Sequence, residues 1–349
     1  MKEATLVGER VLVIGGTGSL GRALLARLTA KNSVMLFSRD EAKHWTIRNQ
    51  YGAKGIDYAV GDIRDFARVE ETILRFRPTV IIIAAALKQV DTCEMTPYES
   101  IQTNVLGIRN VIDAVIRQVD RLPELNCVLM VSTDKACAPA NVYGMCKAIA
   151  ERLVTSQCLA LPRPKFVGVR YGNVLESRGS IIPLFRWQAE NHRCLTVTHR
   201  DMTRFVMTLD QSIDLISAAV LGAASGEIWL PRLHSMRIID LAEIFSEHSG
   251  KPIEIVGMRP GEKLHEDLIS QPESVRVKFK DGYYRMAPAH ITVEQDAKIF
   301  GYSSSEDVLS KRDLETYLQS IGIFQRKLSD FVGREIDEIA APTLKRTAS

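Results

Sequence analysis

Short, wholly apolar runs alternate with segments of helical spacing through the first half of this chain. The runs are RVLVIG (10–15), SVMLF (33–37), IDYAV (56–60), TVIIIAA (79–85), CVLMVS (127–132) and FVGVRYG (166–172). They are apolar at successive rather than alternate positions, so both faces of each strand are buried, as in a parallel sheet. Between them, Leu20 to Thr29, Phe66 to Arg75 and Tyr98 to Arg117 space their apolar residues as amphipathic helices do. Strand and helix in alternation predict an α/β fold, a doubly wound parallel sheet.

The rhythm breaks after residue 172. ESRGSIIPLF (176–185) and THRDMTRFVMTLD (198–210) read as irregular, and QSIDLISAAVLGA (211–223) and RIIDLAEIFSEHSG (237–250) as helices. EIWLP (227–231) and PIEIVG (252–257) read as short strands. The expectation is a dinucleotide-binding domain over 1–172 and a smaller C-terminal substrate-binding lobe over 173–335, with elements returning to the main sheet. SEDVLSKRDLETYLQSI (305–321) predicts a helix, and 340–349 a disordered tail.

Composition narrows the function classes. The 349 residues are 46% apolar and 25% charged, which suits a globular core, and the net charge of +3 has no Lys/Arg block behind it to hold nucleic acid. The longest aliphatic stretch, Val80 to Leu87, is far short of the ~20 residues of a membrane span. No signal-peptide organisation precedes the first strand. The six cysteines form no CxxC pair and have no histidines at ligand spacing, so they read as reduced packing thiols, with no metal site. A cytoplasmic protein is expected.

Glycines follow the first strand directly. Gly15, Gly18 and Gly21 fit GxxGxxG, and Gly16, Gly18 and Gly21 fit GxGxxG; with Thr17, Ser19 and Leu20 they form a strand–loop–helix cradle for a pyrophosphate. At the end of the second strand, Ser38 and Arg39 stand where an NAD site has a carboxylate. Arg39, assisted by Lys43, suits a 2′-phosphate, so NADP is favoured over NAD; the other reading of Arg39 is a surface side chain. Asp40 and Glu41 suit the start of the next helix. Asp62 either contacts the adenine or caps the helix near Asp65. Ile63, Ala84, Ala86 and Lys88 complete the expected cofactor pocket. His44 and His199 have no chemical partner in the sequence and read as surface residues.

STDKACAPANVYGMCK (132–147) carries the chemistry. Tyr143 is placed to act as base on an alcohol, Lys147 one helical turn later to lower its pKa, and Thr133 to bond the same hydroxyl. With the glycine loop, these residues identify the chain as a member of the extended short-chain dehydrogenase/reductase superfamily. AAALKQV, TNVLGIRNVIDA, VSTDKACAPANVYG, VRYGNVLESRGSIIPLF, DMTRFVMTLD and RPGEKLHEDLIS together resemble the inverting UDP-N-acetylglucosamine 4,6-dehydratases of surface-glycan and flagellin-sugar biosynthesis.

That resemblance implies oxidation of the sugar at carbon 4, loss of water across carbons 5 and 6, and hydride return to carbon 6 from a tightly bound NADP. Tyr143 would take the 4-hydroxyl proton, Lys135 the proton at carbon 5, and Asp134 would protonate the leaving 6-hydroxyl. Lys135 must then be neutral, although a free lysine titrates near ~10.4, and burial beside Lys147 is expected to lower it. The resemblance also places Arg204 and Arg259 on the UDP diphosphate, Asn173 on phosphate or sugar, Lys88 between cofactor and sugar, and Glu262 near the uridine ribose. A homo-oligomer is expected. Cys146, Gln89, Val90, Asp91, Glu176 and His199 depart from the family pattern around the sugar pocket, which leaves the hexose open. A UDP-sugar 4-epimerase shares Thr133, Tyr143 and Lys147 but has no use for Asp134 and Lys135. A non-catalytic NADP-sensing protein is the reading from another class.

Overall fold

A computed structural model describes residues 5–52, 55–175, 177, 179–291 and 297–325. The expected tail at 340–349, the end of the lobe beyond 325 and Glu176 lie outside the described residues. All six predicted strands form: β1 (Arg10–Ile14), β2 (Ser33–Ser38), β3 (Ile56–Val60), β4 (Val80–Ile83), β5 (Cys127–Val131) and β6 (Lys165–Val169). They run parallel in the order 3-2-1-4-5-6. Ile228–Pro231 extends the sheet in parallel beyond β6, followed by the antiparallel strands Tyr283–Met286 and Val277–Lys280.

The continuous apolar runs have a direct cause. Val11 and Val13 of β1 face one core with α1 (Ser19–Leu28) and the helix Leu209–Gly222, through Leu24, Leu25, Ile213 and Ile216. Leu12 and Ile14 face a second core, built with α3 (Phe66–Phe76), α6 (Gly107–Arg117) and α7 (Val142–Thr155). Helices thus cover both faces, and the central strands β4 and β5 are buried at every position. A third core gathers Phe185, Leu195, Ile244, Phe245 and Leu314, all from the part of the chain after residue 172.

Several boundaries differ from the sequence reading. The segment read as one helix from Tyr98 is α5 (Pro97–Ile101), a π-helical turn over Gln102–Leu106, and then α6. In the π turn, Asn104 accepts from the Leu87 N–H at 2.9 Å and donates to the Leu87 carbonyl at 2.8 Å, so it fixes the loop after β4. ESRGSIIPLF is not irregular throughout. Ile181–Asn191 is a helix that buries Ile182 and Phe185, and Pro183 sits in its first turn, where the missing N–H costs little. Within THRDMTRFVMTLD, Thr203–Phe205 pairs with Ser235–Arg237. The helix predicted from residue 305 starts at Lys311, because Ser310 caps it by accepting from the Asp313 N–H.

A buried ionic knot joins the two parts. Arg170, just past β6, bonds Glu151 of α7 at 2.6 and 2.9 Å, Glu273 at 2.8 and 2.9 Å, and the Leu268 carbonyl at 2.9 Å. Burial alone would raise the Glu273 pKa, but the Arg170 hydrogen bonds and charge hold it down at about 2.

Candidate active site

The strand order reverses between β1 and β4, which opens a crevice at the carboxyl ends of the strands. A cleft of about 880 Å³ lies there, and it gathers every residue singled out for cofactor, catalysis or substrate. Glycine is required at two points of its floor. Gly15 has φ +87°, and a β-carbon there would lie 2.5 Å from the Ala85 nitrogen; at Gly21 it would lie 2.2 Å from the Gly16 oxygen. At Gly18, which precedes α1, the nearest protein atom stands at 3.4 Å, leaving room for a ligand to approach the backbone. The loop therefore fits a pyrophosphate at a helix N-terminus.

The end of β2 holds a polar chain. Thr17 Oγ1 lies 2.9 Å from Ser38 Oγ, which lies 3.0 Å from His44 Nε2. His44 is not a surface residue: it is 5% exposed, and burial lowers its pKa. Its signal was hidden because its partner, Ser38, lies on the preceding strand. His199 is exposed, with Nδ1 accepting from the Asp201 N–H. Asp40 caps α2 (Glu41–Tyr51), as expected, by accepting from the Lys43 N–H. The Lys43 ammonium lies 2.6 Å from the Asp40 carboxylate. Arg39 is exposed on the cleft wall, 4.0 Å from Asp62. Asp65, not Asp62, caps α3; Asp62 is gripped by the Arg64 guanidinium at 2.8 Å.

The catalytic segment folds as a tight turn followed by α7. Thr133 Oγ1 donates to Asp134 Oδ1 at 2.9 Å. Lys135 Nζ lies 3.2 Å from the same oxygen and 3.0 Å from Glu266 Oε1. Asn141 caps α7 through the Gly144 N–H at 2.8 Å, and its amide nitrogen bonds the Gly261 carbonyl at 2.9 Å, so the helix start is tied to the RPGEK loop. A β-carbon at Gly144 would lie 2.1 Å from the Lys135 oxygen; this glycine lets α7 pack on the turn. We predict that Gly144→Ala shifts the turn and reduces turnover more than UDP affinity, as read by kcat against calorimetry.

The electrostatics differ from the sequence expectation. Burial pulls the Lys135 pKa down, but the charges of Asp134 and Glu266 outweigh it, and the ammonium is held above the usual lysine range. Burial raises Tyr143 to about 12, against the pull of the Lys135 charge. Lys147 donates to the Val131 carbonyl at 2.9 Å, and burial lowers its pKa to about 8. Both directions, upward for Lys135 and for Tyr143, are opposite to those expected from the sequence. The Lys135 expectation rested on burial and nearby positive charge and left out Glu266, which arrives from 131 residues downstream; the Tyr143 expectation rested on Lys147 and left out the tyrosine's own burial.

Arg204 was expected to present a planar fork to a diphosphate. It is buried, and that fork is filled by the carbonyls of Thr203 (2.7 Å), Leu264 (3.1 Å) and Lys263 (3.0 Å). It faces the cleft as a fixed charge 3.9 Å from Glu266. Arg259 is half-exposed, 3.6 Å from Asp91 across the cleft, and its N–H donates to Glu262 at 3.1 Å. Lys88 and Asn173 line the same cleft. Sequence reasoning missed Glu266, Asn141, Asn104 and Gly144. A faint signal for Glu266 was a second acid four residues beyond Glu262 in GEKLHED.

Comparison with known proteins agrees with this architecture. The family model described as polysaccharide biosynthesis protein matches residues 11–288. A UDP-glucose 4-epimerase of Rickettsia typhi is 36% identical over 290 residues, 80% of this chain and 83% of that protein. An uncharacterized membrane protein of Methanocaldococcus jannaschii is 35% identical over 326 residues, 90% of this chain and 96% of that protein. Among the described residues, no helix is long and apolar enough to cross a membrane. The X-ray structure of Pen from Bacillus thuringiensis superposes with a TM-score of 0.82 at 33% identity, covering 90% of this chain and 98% of that one.

Proposed function

The chain belongs to the polysaccharide biosynthesis protein family, among the nucleotide-sugar epimerases and dehydratases, and from that premise we propose that it is an NADP-dependent UDP-N-acetylglucosamine 4,6-dehydratase. The observation that carries this reading is the Asp134–Lys135–Glu266 cluster beside Tyr143. A 4-epimerase moves a hydride and one hydroxyl proton, and has no work for an amine between two buried carboxylates. Elimination of water across carbons 5 and 6 needs both a base and an acid.

Tyr143, with Thr133, is assigned the proton of the 4-hydroxyl. The new ketone acidifies the carbon 5 proton, which falls to Lys135, and Asp134, after taking up a proton from solvent, protonates the departing 6-hydroxyl. A dinucleotide held by the glycine loop, Ser38, Arg39 and Lys43 supplies the hydride acceptance at carbon 4 and its return at carbon 6. Inversion at carbon 5 belongs to the same reading. The test is mass analysis after incubation with UDP-N-acetylglucosamine: a product lighter by one water supports the dehydratase, and an isomer of unchanged mass supports the epimerase. The second reading keeps its place because the Rickettsia typhi relative bears the epimerase name.

NADP is supported by the absence of a carboxylate at the end of β2, where Asp40 is spent on the helix cap. Arg39→Ala should weaken NADP binding by about 1.5–3 kcal/mol, one charge-assisted bond, and NAD binding far less. Titration calorimetry with both dinucleotides checks this, and equal losses would take Arg39 off the 2′-phosphate. Arg259→Ala should weaken UDP by a similar amount, about 1.5–3 kcal/mol. A homo-oligomer is supported by Met95, Tyr98, Ile101, Leu106, Met145 and Ile149, large apolar side chains exposed on adjacent helical segments. A cytoplasmic location suits a nucleotide-sugar substrate.

A further inference from the structure

We propose that Glu266 is a positioning residue that takes the proton off Lys135 and so produces the neutral amine that acts at carbon 5. The inference rests on the dehydratase reading above.

Lys135 Nζ stands between two carboxylates, 3.2 Å from Asp134 and 3.0 Å from Glu266. The acids are 1% and 2% exposed at the side chain, the lysine 19%. Asp134 Oδ1 already accepts from both Thr133 and Lys135, and its carboxyl is assigned to the 6-hydroxyl. Glu266 has no role assigned on the substrate; its Oε1 faces Lys135 and, at 3.9 Å, Arg204, and its Oε2, like Asp134 Oδ2, is buried without a hydrogen-bond partner among the described residues. The backbone that carries this carboxyl is also fixed. The Glu266 N–H donates to Ser304 Oγ at 2.9 Å, its carbonyl accepts from the Ser304 N–H at 2.8 Å, and Ser304 Oγ lies 2.8 Å from Thr203 Oγ1. Burial raises the Glu266 pKa, with the Asp134 charge adding to it against Lys135 and Arg204, so it accepts a proton more readily than an ordinary glutamate.

This arrangement resolves the conflict over Lys135. With the cleft open, water reaches the amine and the ion pair prevails. A sugar filling the cleft removes that water, and in a dry site separated charges lose their advantage over the neutral pair. One N–H bond of Lys135 then breaks, and the proton moves to Glu266 Oε1. The amine lone pair takes the carbon 5 proton, whose C–H electrons pass into the enolate of the 4-ketone. Once Lys135 has passed that proton to solvent or product, Glu266 returns its own, and the pair is reset.

The test uses the full chain, UDP-N-acetylglucosamine and deuterated water. Glu266→Gln keeps the shape and cannot accept the proton. It should still oxidise carbon 4, read as reduced nicotinamide, while exchange at carbon 5 falls by about 10²-fold or more. Its residual exchange should climb with pH, because solvent must now deprotonate Lys135, whereas wild-type exchange stays flat over the same range. The groups facing Lys135 in that profile are Asp134 and Tyr143 from the catalytic segment, Arg204 from the strand Thr203–Phe205, and Glu262 behind it. Glu266→Asp, which keeps the carboxyl but lengthens the path, should fall between the two; it carries the test if Glu266→Gln does not fold. A merely structural role leaves the shape of the pH profile unchanged, and that result overturns the proposal, as does wild-type exchange in either variant. Wild-type protein that forms no dehydrated product overturns the dehydratase reading as well; normal dehydration beside unaffected variants overturns this proposal alone.

Discussion

Lys135→Ala is expected to lower dehydration by about 10²–10⁴-fold while leaving the first oxidation in place. The substitution removes the amine that bridges Asp134 and Glu266, but spares Thr133, Tyr143 and Lys147, which are assigned to carbon 4. Mixing the variant with substrate should therefore give the absorbance of reduced nicotinamide without product release and without deuterium at carbon 5. Tyr143→Phe should stop both events, since it removes the group assigned the 4-hydroxyl proton. Lys135→Ala also strips Asp134 and Glu266 of their shared ammonium, leaving Glu266 with Arg204 at 3.9 Å, so it should melt earlier; Lys135→Gln, which retains a donor, separates that effect from the loss of the base. Dehydration at near wild-type rate by Lys135→Ala would make the lysine a bystander and restore the epimerase reading.

Arg170→Met should cost about 3–5 kcal/mol of stability, the usual penalty for removing one partner of a buried ionic cluster. Glu151 of α7 would lose its partner Arg170, and Glu273 would keep only the longer ion pair to Arg276 at 3.6 Å among the described residues. Replacing all three by apolar residues of similar volume should recover much of the loss, because most of it is the stranded charge rather than the bond. The same knot sets an acid limit. Glu273 is held down at about 2 against an ordinary 4.5, so its contribution is complete above 4.5 and disappears as the pH falls toward 2. In Arg170→Met that loss should begin at a higher pH. Denaturant titrations across this range check both statements, and wild-type stability in the variant would contradict them.

The sheet was legible because helices on both faces leave a strong trace: Val11 to Ile14 are apolar without a break, and each residue has a core to enter. The glycine loop and the Tyr143/Lys147 pair were legible for a similar reason, since their spacing is local to one turn. What stayed hidden depends on distant partners. His44 reads as a surface residue until α2 folds back and brings it to Ser38. Pro183 reads as a breaker until it lands in a first turn, and the π turn at Gln102–Leu106 is invisible without Leu87 to receive Asn104. The same holds for charge. Lys135 was expected to have a lowered pKa from burial and nearby positive charge, and the charges of Asp134 beside it and of Glu266 from another part of the chain together reverse that direction. Types of residue were readable, but their protonation was not.

The most direct test of the central claim is a proton NMR time course of the full-length protein with UDP-N-acetylglucosamine in deuterated water. The account predicts a 4-keto-6-deoxy product whose carbon 5 carries solvent deuterium, because Lys135 exchanges the proton it removes there. A product that keeps its 6-hydroxyl, differs only in configuration at carbon 4 and holds no deuterium at carbon 5 would contradict it.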